Sequence, residues 1–221
     1  MRHVPHLYIS GPWEAPELSL SDAHLRHLSS VLRLAAGAPV TYTDGAGSRG
    51  DGWFRGDRIE RGEESGSAPM SPQVVVASAP PRTSARLRFV VEKLAELGVD
   101  RLIWLQTRFG EGRPPRMNKA TAWAEAALEQ SRGIWLMGIE GPVPLTQLDS
   151  STLWVAERES KPPPSVVNGG TLVIGPEAGF AEGEIPAAAR RLSLGSRVLR
   201  VETAAIAGAT VLLEKSGRLS Q

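Results

Sequence analysis

Residues 171–213, TLVIGPEAGFAEGEIPAAARRLSLGSRVLRVETAAIAGATVLL, constrain the fold more than any other stretch of the chain. The apolar run 171–174 has the length of a buried parallel strand. It breaks into a Gly-Pro-Glu-Ala-Gly turn at 175–179, and a helix is expected over 182–191. A second short run, 192–194, breaks into Gly195-Ser196-Arg197. The last piece, 203–213, is almost entirely small or apolar, the composition of a helix buried on every side. Two strand ends therefore open into glycine-containing loops beside a buried helix. Ligands of open α/β sheets sit at such carboxyl ends. Arg200 and Glu202 add one positive and one negative charge at the mouth of the second loop.

The rest of the chain supplies a frame for this stretch. Residues 73–79 form a β-branched strand, and 84–97 an amphipathic helix with Leu87, Val90, Val91 and Leu94 at helical spacing. Gly98 stands where a helix stop belongs. Residues 101–105 are the next strand, and 108–116 (RFGEGRPPR) a basic loop too rich in Gly and Pro to be an element. Asn118 caps a helix to about Gln130, and a further strand is expected at 153–155. Alternating strands and helices mean a mostly parallel α/β sheet.

The first 71 residues read differently. Short strands at 7–9, 40–43 and 53–59 accompany one helix over 21–34, and 63–71 is a polar loop. This is the pattern of a small β-barrel-like module, so two domains are expected, 1–71 and 72–221. GAGSRG at 45–50 matches G-x-G-x-x-G letter for letter. A dinucleotide site needs a helix to follow, whereas Asp51-Gly52-Trp53 continues into another turn, so a hairpin loop is expected.

Composition removes several classes. With no cysteine among 221 residues, there is no disulfide, no thiolate zinc site and no cysteine nucleophile. His24 and His27 share a helix face, but further ligands are missing, so no metal is expected. No run approaches the roughly 18 apolar residues of a membrane span, so a soluble cytoplasmic protein is expected. Net charge is +1, yet residues 82–119 hold 9 basic and 4 acidic side chains, the kind of clustering that phosphate binding requires. Six Trp, 4 Phe and 2 Tyr are few for a wide base-stacking platform, which favours one extruded base in a pocket.

GPEAGF at 175–180 and LGSRVLRVETA at 194–204 resemble the signature of the 16S ribosomal RNA uracil-N3 methyltransferase family, in the knotted SPOUT superfamily. HLSSVLRLAAG at 27–37, EKLAELGV at 92–99 and EQS at 129–131 match in the same order. The resemblance spans about the whole chain. It implies a PUA-like RNA-binding barrel followed by an α/β domain with a deep trefoil knot. It also implies S-adenosyl-L-methionine as methyl donor, N3 of a uridine in 16S rRNA of the small ribosomal subunit as acceptor, and a homodimer with the active site at its interface.

Three loops would hold the donor: Val155, Ala156 and Glu157; then Ile174, Gly175, Pro176, Glu177 and Gly179; then Leu194, Gly195, Val198 and Leu199, with Thr203 beyond. Arg200 would act on the uracil, with Glu202 holding Arg200 or taking the proton. His6, Arg33, Arg108, Gln130 and Arg132 are the candidate RNA contacts. Departures from the family pattern fall mostly on the acceptor side: His6 for an arginine, Ala178 and Ala181 in the first motif, Val201 in the second, and Arg132-Gly133 where Gly-Arg is usual. Two alternatives stay open. One is another reaction of the superfamily, ribose 2′-O or purine-N1 methylation; the other is an RNA-binding relative without catalysis.

Overall fold

The computed structural model describes residues 4–219, which divide into two compact units. Of these, residues 4–69 join Leu128–Leu136 in the first, and Met70–Ala127 joins residues 137–219 in the second. The segment Leu128–Leu136, which the sequence reading leaves in the second domain, thus clusters with the first unit. No helix of the described residues is long and apolar enough to cross a membrane.

The first unit is a curled five-stranded sheet of β1 (His6–Tyr8), β2 (Glu17–Ser19), β3 (Pro39–Thr43), β4 (Ser48–Phe54) and β5 (Arg58–Gly66), in the order β1-β3-β4-β5-β2. β1 runs parallel to β3, and the other pairs are antiparallel. The single strand expected over 53–59 is the join of β4 and β5, and β5 continues through the stretch expected as a loop, to Gly66. GAGSRG is the hairpin between β3 and β4: Asp44 Oδ1 accepts from the N–H groups of Ala46 (2.8 Å) and Ser48 (2.9 Å). Gly50 packs directly against the Tyr42 ring, where a Cβ would lie 2.2 Å from it.

The helix expected over 21–34 is shorter and irregular. Ser21 caps α1 (Asp22–Arg26), which widens into a π turn at His27–Val31. Leu32 N–H bonds back to His27 C=O and Leu34 N–H to Leu28 C=O, and Arg33 ends the turn at φ 50°. The wide turn seats Leu28 fully in the core with Leu7, Val40, Tyr42, Phe54 and Ile59, while Leu32 packs partly buried against it.

Strand β1 is an edge strand, and Leu128–Leu136 covers its outward groups. Arg132 Nη2 donates to Val4 C=O (2.9 Å), and Glu129 Oε1 accepts from Tyr8 N–H (2.8 Å). His6 stands between them, 5% exposed, with Nε2 3.0 Å from Gly133 C=O and Nδ1 2.7 Å from Thr41 Oγ1. The carbonyl assigns the proton to Nε2, leaving Nδ1 to accept from the threonine hydroxyl in the neutral ring. An exposed edge invites pairing with other chains, and these contacts remove that hazard.

The second unit is a six-stranded sheet of β6 (Val74–Ser78), β7 (Arg101–Gln106), β8 (Gly138–Pro144), β9 (Leu153–Ala156), β10 (Gly170–Ile174) and β11 (Arg190–Leu192). All pairs are parallel, in the order β11-β9-β10-β6-β7-β8. Its helices are α2 (Ser84–Glu96), capped by Thr83, α4 (Val201–Lys215) and the greater part of α3 (Met117–Ser131), whose residues from Leu128 on cluster with the first unit. Asn118 therefore lies inside α3 rather than capping it. The helix expected over 182–191 does not form: 181–189 is a run of turns, with i→i−3 bonds from Glu184 N–H to Ala181 C=O and from Ala189 N–H to Pro186 C=O. Pro186 lacks the N–H that a helix needs in its interior, and Gly183 sits at φ 76°.

Helix α4 packs on β10, β6 and α2. It is not buried on every side, since Thr203 is exposed and Ile206, Ala207, Thr210 and Val211 are half-buried. Its inner face touches the sheet through Gly208, where a Cβ would meet Leu172 Cδ2 at 2.6 Å. Beyond its end, buried Arg218 donates to Asp100 Oδ2 (2.8 Å), Pro72 C=O and Gly98 C=O, and Asp100 Oδ2 also accepts from Val74 N–H (2.7 Å). The helix is thereby tied to the start of β6.

Two outcomes follow from this packing. Gly→Ala in an unconstrained helix interior stabilises by about 0.5–1 kcal/mol. At Gly208 overpacking against buried Leu172 costs about 1–3 kcal/mol, so Gly208→Ala lowers the denaturant midpoint; a raised midpoint refutes the close packing. For His6, burial above all holds the ring pKa below the ordinary histidine value. The unfolded chain then binds the proton more readily, so this contribution is whole above about pH 6.5 and is lost as pH falls through the lowered folded value. Between about pH 7.5 and pH 5 the wild type should lose more stability than His6→Gln. Equal losses in the two proteins would show that His6 is not the group responsible.

Candidate active site at the carboxyl ends of three strands

Because β9, β10 and β11 are parallel neighbours, their carboxyl ends meet at one edge of the sheet. The loops leaving them enclose a cavity of about 830 Å³, within the range of small-molecule sites. Val155, Ala156 and Glu157 line it from the end of β9. Glu157 N–H donates to Leu192 C=O (2.9 Å), and its carboxylate accepts from Arg191 Nη1 (2.9 Å) and Ser160 Oγ (3.0 Å). The Arg191 contact above all holds the Glu157 carboxyl below its ordinary pKa.

The second wall is the turn after β10. Ile174, Gly175, Pro176, Glu177 and Gly179 all line the cavity. Gly179 N–H closes the turn on Pro176 C=O (2.9 Å) with φ 76°, a conformation that glycine adopts without steric cost. Phe180 folds back over Gly175, where a Cβ would come within 2.7 Å of the ring. The third wall comes from the segment after β11, with Leu194, Gly195, Val198 and Leu199 on the cavity. Ser193 Oγ accepts from Gly195 N–H (3.2 Å) and donates to Arg158 C=O (2.9 Å).

Arg200 lines the same cavity at the N-cap position of α4, exposed and with extended backbone. Its guanidinium makes no hydrogen bond or ion pair with the described residues. Glu202 does not hold it, contrary to expectation. Two residues along a helix turn the side chain by about 200°. Glu202 is accordingly buried against α2, where Oε1 lies 3.3 Å from Arg86 Nε, and Oε2 has no partner among the described residues. Thr203 is exposed on α4 and does not line the cavity; Ala204, one turn after Arg200, does. That position was legible from the helical repeat alone. Phe180, Ile185 and Arg191, also on the cavity, carried no such signal, because the turns and the β9–β11 pairing that place them are tertiary.

The candidate RNA contacts are scattered over both units. In the first unit, Arg33, Gln130 and Arg132 are exposed, and Arg132 occupies a left-handed position at φ 59°. His6 is enclosed, and both of its ring nitrogens are engaged within the unit, so it offers nothing to a ligand. Arg108 of the second unit is exposed just after β7. Among the described residues no group of three or more His, Cys, Asp or Glu side chains is placed to hold a metal ion.

A family model described as an RNA methyltransferase domain matches residues 69–213. The ribosomal RNA small subunit methyltransferase E of Rickettsia conorii is 24% identical over 210 residues, covering 84% of each chain. Its counterpart in Synechocystis sp. is 28% identical over 235 residues, covering 89% of this chain and 74% of the relative. Among solved structures, a putative methyltransferase of Legionella pneumophila with bound SAM shares the fold with a TM-score of 0.84 at 23% identity, covering 97% of this chain and 98% of that one. The methyltransferase E of Neisseria gonorrhoeae bound to S-adenosyl methionine does so with a TM-score of 0.81 at 22% identity, covering 97% and 98%. With the domain model spanning most of the second unit and the cavity wholly inside the matched span, the chain belongs to the RNA methyltransferase family.

Proposed function

We propose that the chain methylates N3 of a uridine in small-subunit ribosomal RNA, with S-adenosylmethionine as donor. The carrying observation is the cavity at the ends of β9, β10 and β11, with Arg200 unpaired at its edge, in a chain of this family. Its residues suit the donor. Apolar walls at Val155, Ile174, Leu194 and Leu199 accept an adenosine, glycine turns expose backbone N–H and C=O groups, and the Glu177 and Glu182 carboxylates face a cationic ligand. When bound, S-adenosylmethionine supplies a methyl group on a positively charged sulfur.

The chain's own residues must align the base, favour loss of its proton and exclude a competing water. Loss of the N3 proton leaves charge on the neighbouring carbonyl oxygens, and N3 then forms the new bond to carbon as the carbon–sulfur bond breaks. A guanidinium beside the ring stabilises that charge and stays protonated throughout. This is the role assigned to Arg200. Glu202 is turned toward Arg86 and does not line the cavity, so it is not placed to accept the proton; Glu177 and Glu182 are carboxylates that line the cavity.

The same reading assigns 1–71 to a PUA-like RNA-binding barrel and 72–221 to methyl transfer in the cytoplasm. It treats the second unit as knotted, as the resemblance to the family implies. It also makes the protein a homodimer. The half-buried face of α4, with Ile206, Ala207 and Val211, suits a partner's close approach, and light scattering that finds a monomer at micromolar concentration would remove this part.

Mass spectrometry of rRNA nucleosides from cells with and without the protein tests the reaction: N3-methyluridine should disappear without it. A missing ribose or purine methyl group instead would give the reaction to another member of the superfamily. In vitro, Arg200→Ala should leave cofactor affinity within a few-fold and slow single-turnover methylation by about 100-fold, roughly 2.7 kcal/mol of transition-state stabilisation. Arg200→Lys should rescue little, because an ammonium lacks the planar fork. Loss of cofactor binding in Arg200→Ala would move Arg200 into the donor pocket.

A further inference from the structure

Residues 107–116 have no regular structure, yet a backbone hydrogen bond, a side-chain ion pair and a close backbone approach hold them against the rest of the unit. Glu184 Oε1 accepts from Arg108 N–H (2.9 Å). Glu111 pairs with Arg82 (2.9 Å), and Gly112 lies so close to the chain that a Cβ would be 1.8 Å from Pro80 C=O. The other oxygen of Glu184 accepts from Ala181 N–H (2.8 Å), and Ala181 lines the cavity. One carboxylate thus separates the start of this loop from the cavity wall.

Phe109 is 47% exposed. Arg108, Arg113 and Arg116 are exposed, and their side chains make no hydrogen bond or ion pair with the described residues. A phenylalanine held in water forgoes the stabilisation that burial would bring. Exposed arginines and an exposed aromatic ring on one braced loop are a combination that holds unpaired nucleotides, the ring stacking on a base and the guanidinium groups meeting phosphates. A duplex would offer phosphates but keep its base faces stacked, and an acidic peptide would satisfy the arginines while leaving Phe109 uncovered.

We propose that the 107–116 loop is the docking surface for the single-stranded RNA flanking the nucleotide that enters the cavity, with Phe109 stacking on a base and Arg113 and Arg116 contacting phosphates. This rests on the RNA methyltransferase reading and adds where the strand lies. The brace through Glu184 keeps that surface in register with the cavity wall.

The test uses the full chain and fluorescence anisotropy with a uridine-containing single-stranded RNA oligonucleotide over a range of salt. Phe109→Ala should weaken binding about tenfold with the salt slope unchanged. Arg113→Gln with Arg116→Gln should lower the slope of log K against log salt by about 1.4, at roughly 0.7 per phosphate contact, and the paired Lys substitutions should restore it. Calorimetric affinity for S-adenosylhomocysteine and the thermal midpoint should stay at wild-type values. Wild-type RNA binding by these variants overturns the proposal, as does displacement of RNA by polyglutamate with Phe109→Ala unaffected, which would make the surface one for acidic protein. The two readings fail separately. If the wild type methylates rRNA and the variants keep its KM, the surface is wrong and the reaction stands. If the variants lose RNA binding but the wild type methylates no RNA, the surface stands and the reaction falls.

Discussion

The contact between α4 and β10 is the constraint on which the second unit depends. Gly208 lets the helix come close enough to touch Leu172, and Arg218 beyond its end closes on Asp100 and the carbonyls of Pro72 and Gly98. Interiors pack at crystal-like density, so a helix seated this closely has little freedom to shift. Its first residue is therefore held in place as well. Arg200 stands at the cavity because the opposite end of α4 is locked to the start of β6.

Charge pairing then decides which cations of the site are free. Glu157 engages Arg191 and Glu202 engages Arg86, and neither carboxylate pairs with Arg200. The cost is visible at Glu202, whose Oε2 is buried without a partner among the described residues. A buried acceptor left unmatched opposes folding. Here it accompanies an arginine on the cavity that nothing in the described chain engages.

The first unit solves a different problem with similar means. Its edge strand β1 would present unpaired backbone groups, and the segment Leu128–Leu136 supplies Arg132, Glu129 and the carbonyl of Gly133 to cover them. This arrangement accounts for His6: a residue that reads as an RNA contact in the sequence is consumed in closing the unit. It also puts a positive φ on Arg132, a conformation in which glycine would be the unstrained choice.

Much was legible in the sequence because it depends on neighbours along the chain. The strand at 171–174, the glycine turn after it, the apolar period of α2 and the hairpin at GAGSRG follow from local chemistry, and each appears in the structure. The family was legible for the same reason, since two short motifs carry it. The tertiary structure decided the rest. The turns at 181–189 replace an expected helix, because Gly183 and Pro186 outweigh the alanines around them once Glu184 has two backbone N–H groups to bind. The split of Arg200 from Glu202 required the start of α4, and the partner of Glu202 required α2 to lie against it. A sequence records which groups are available, but pairing across tens of residues is settled by which surfaces pack, and only the folded chain determines that.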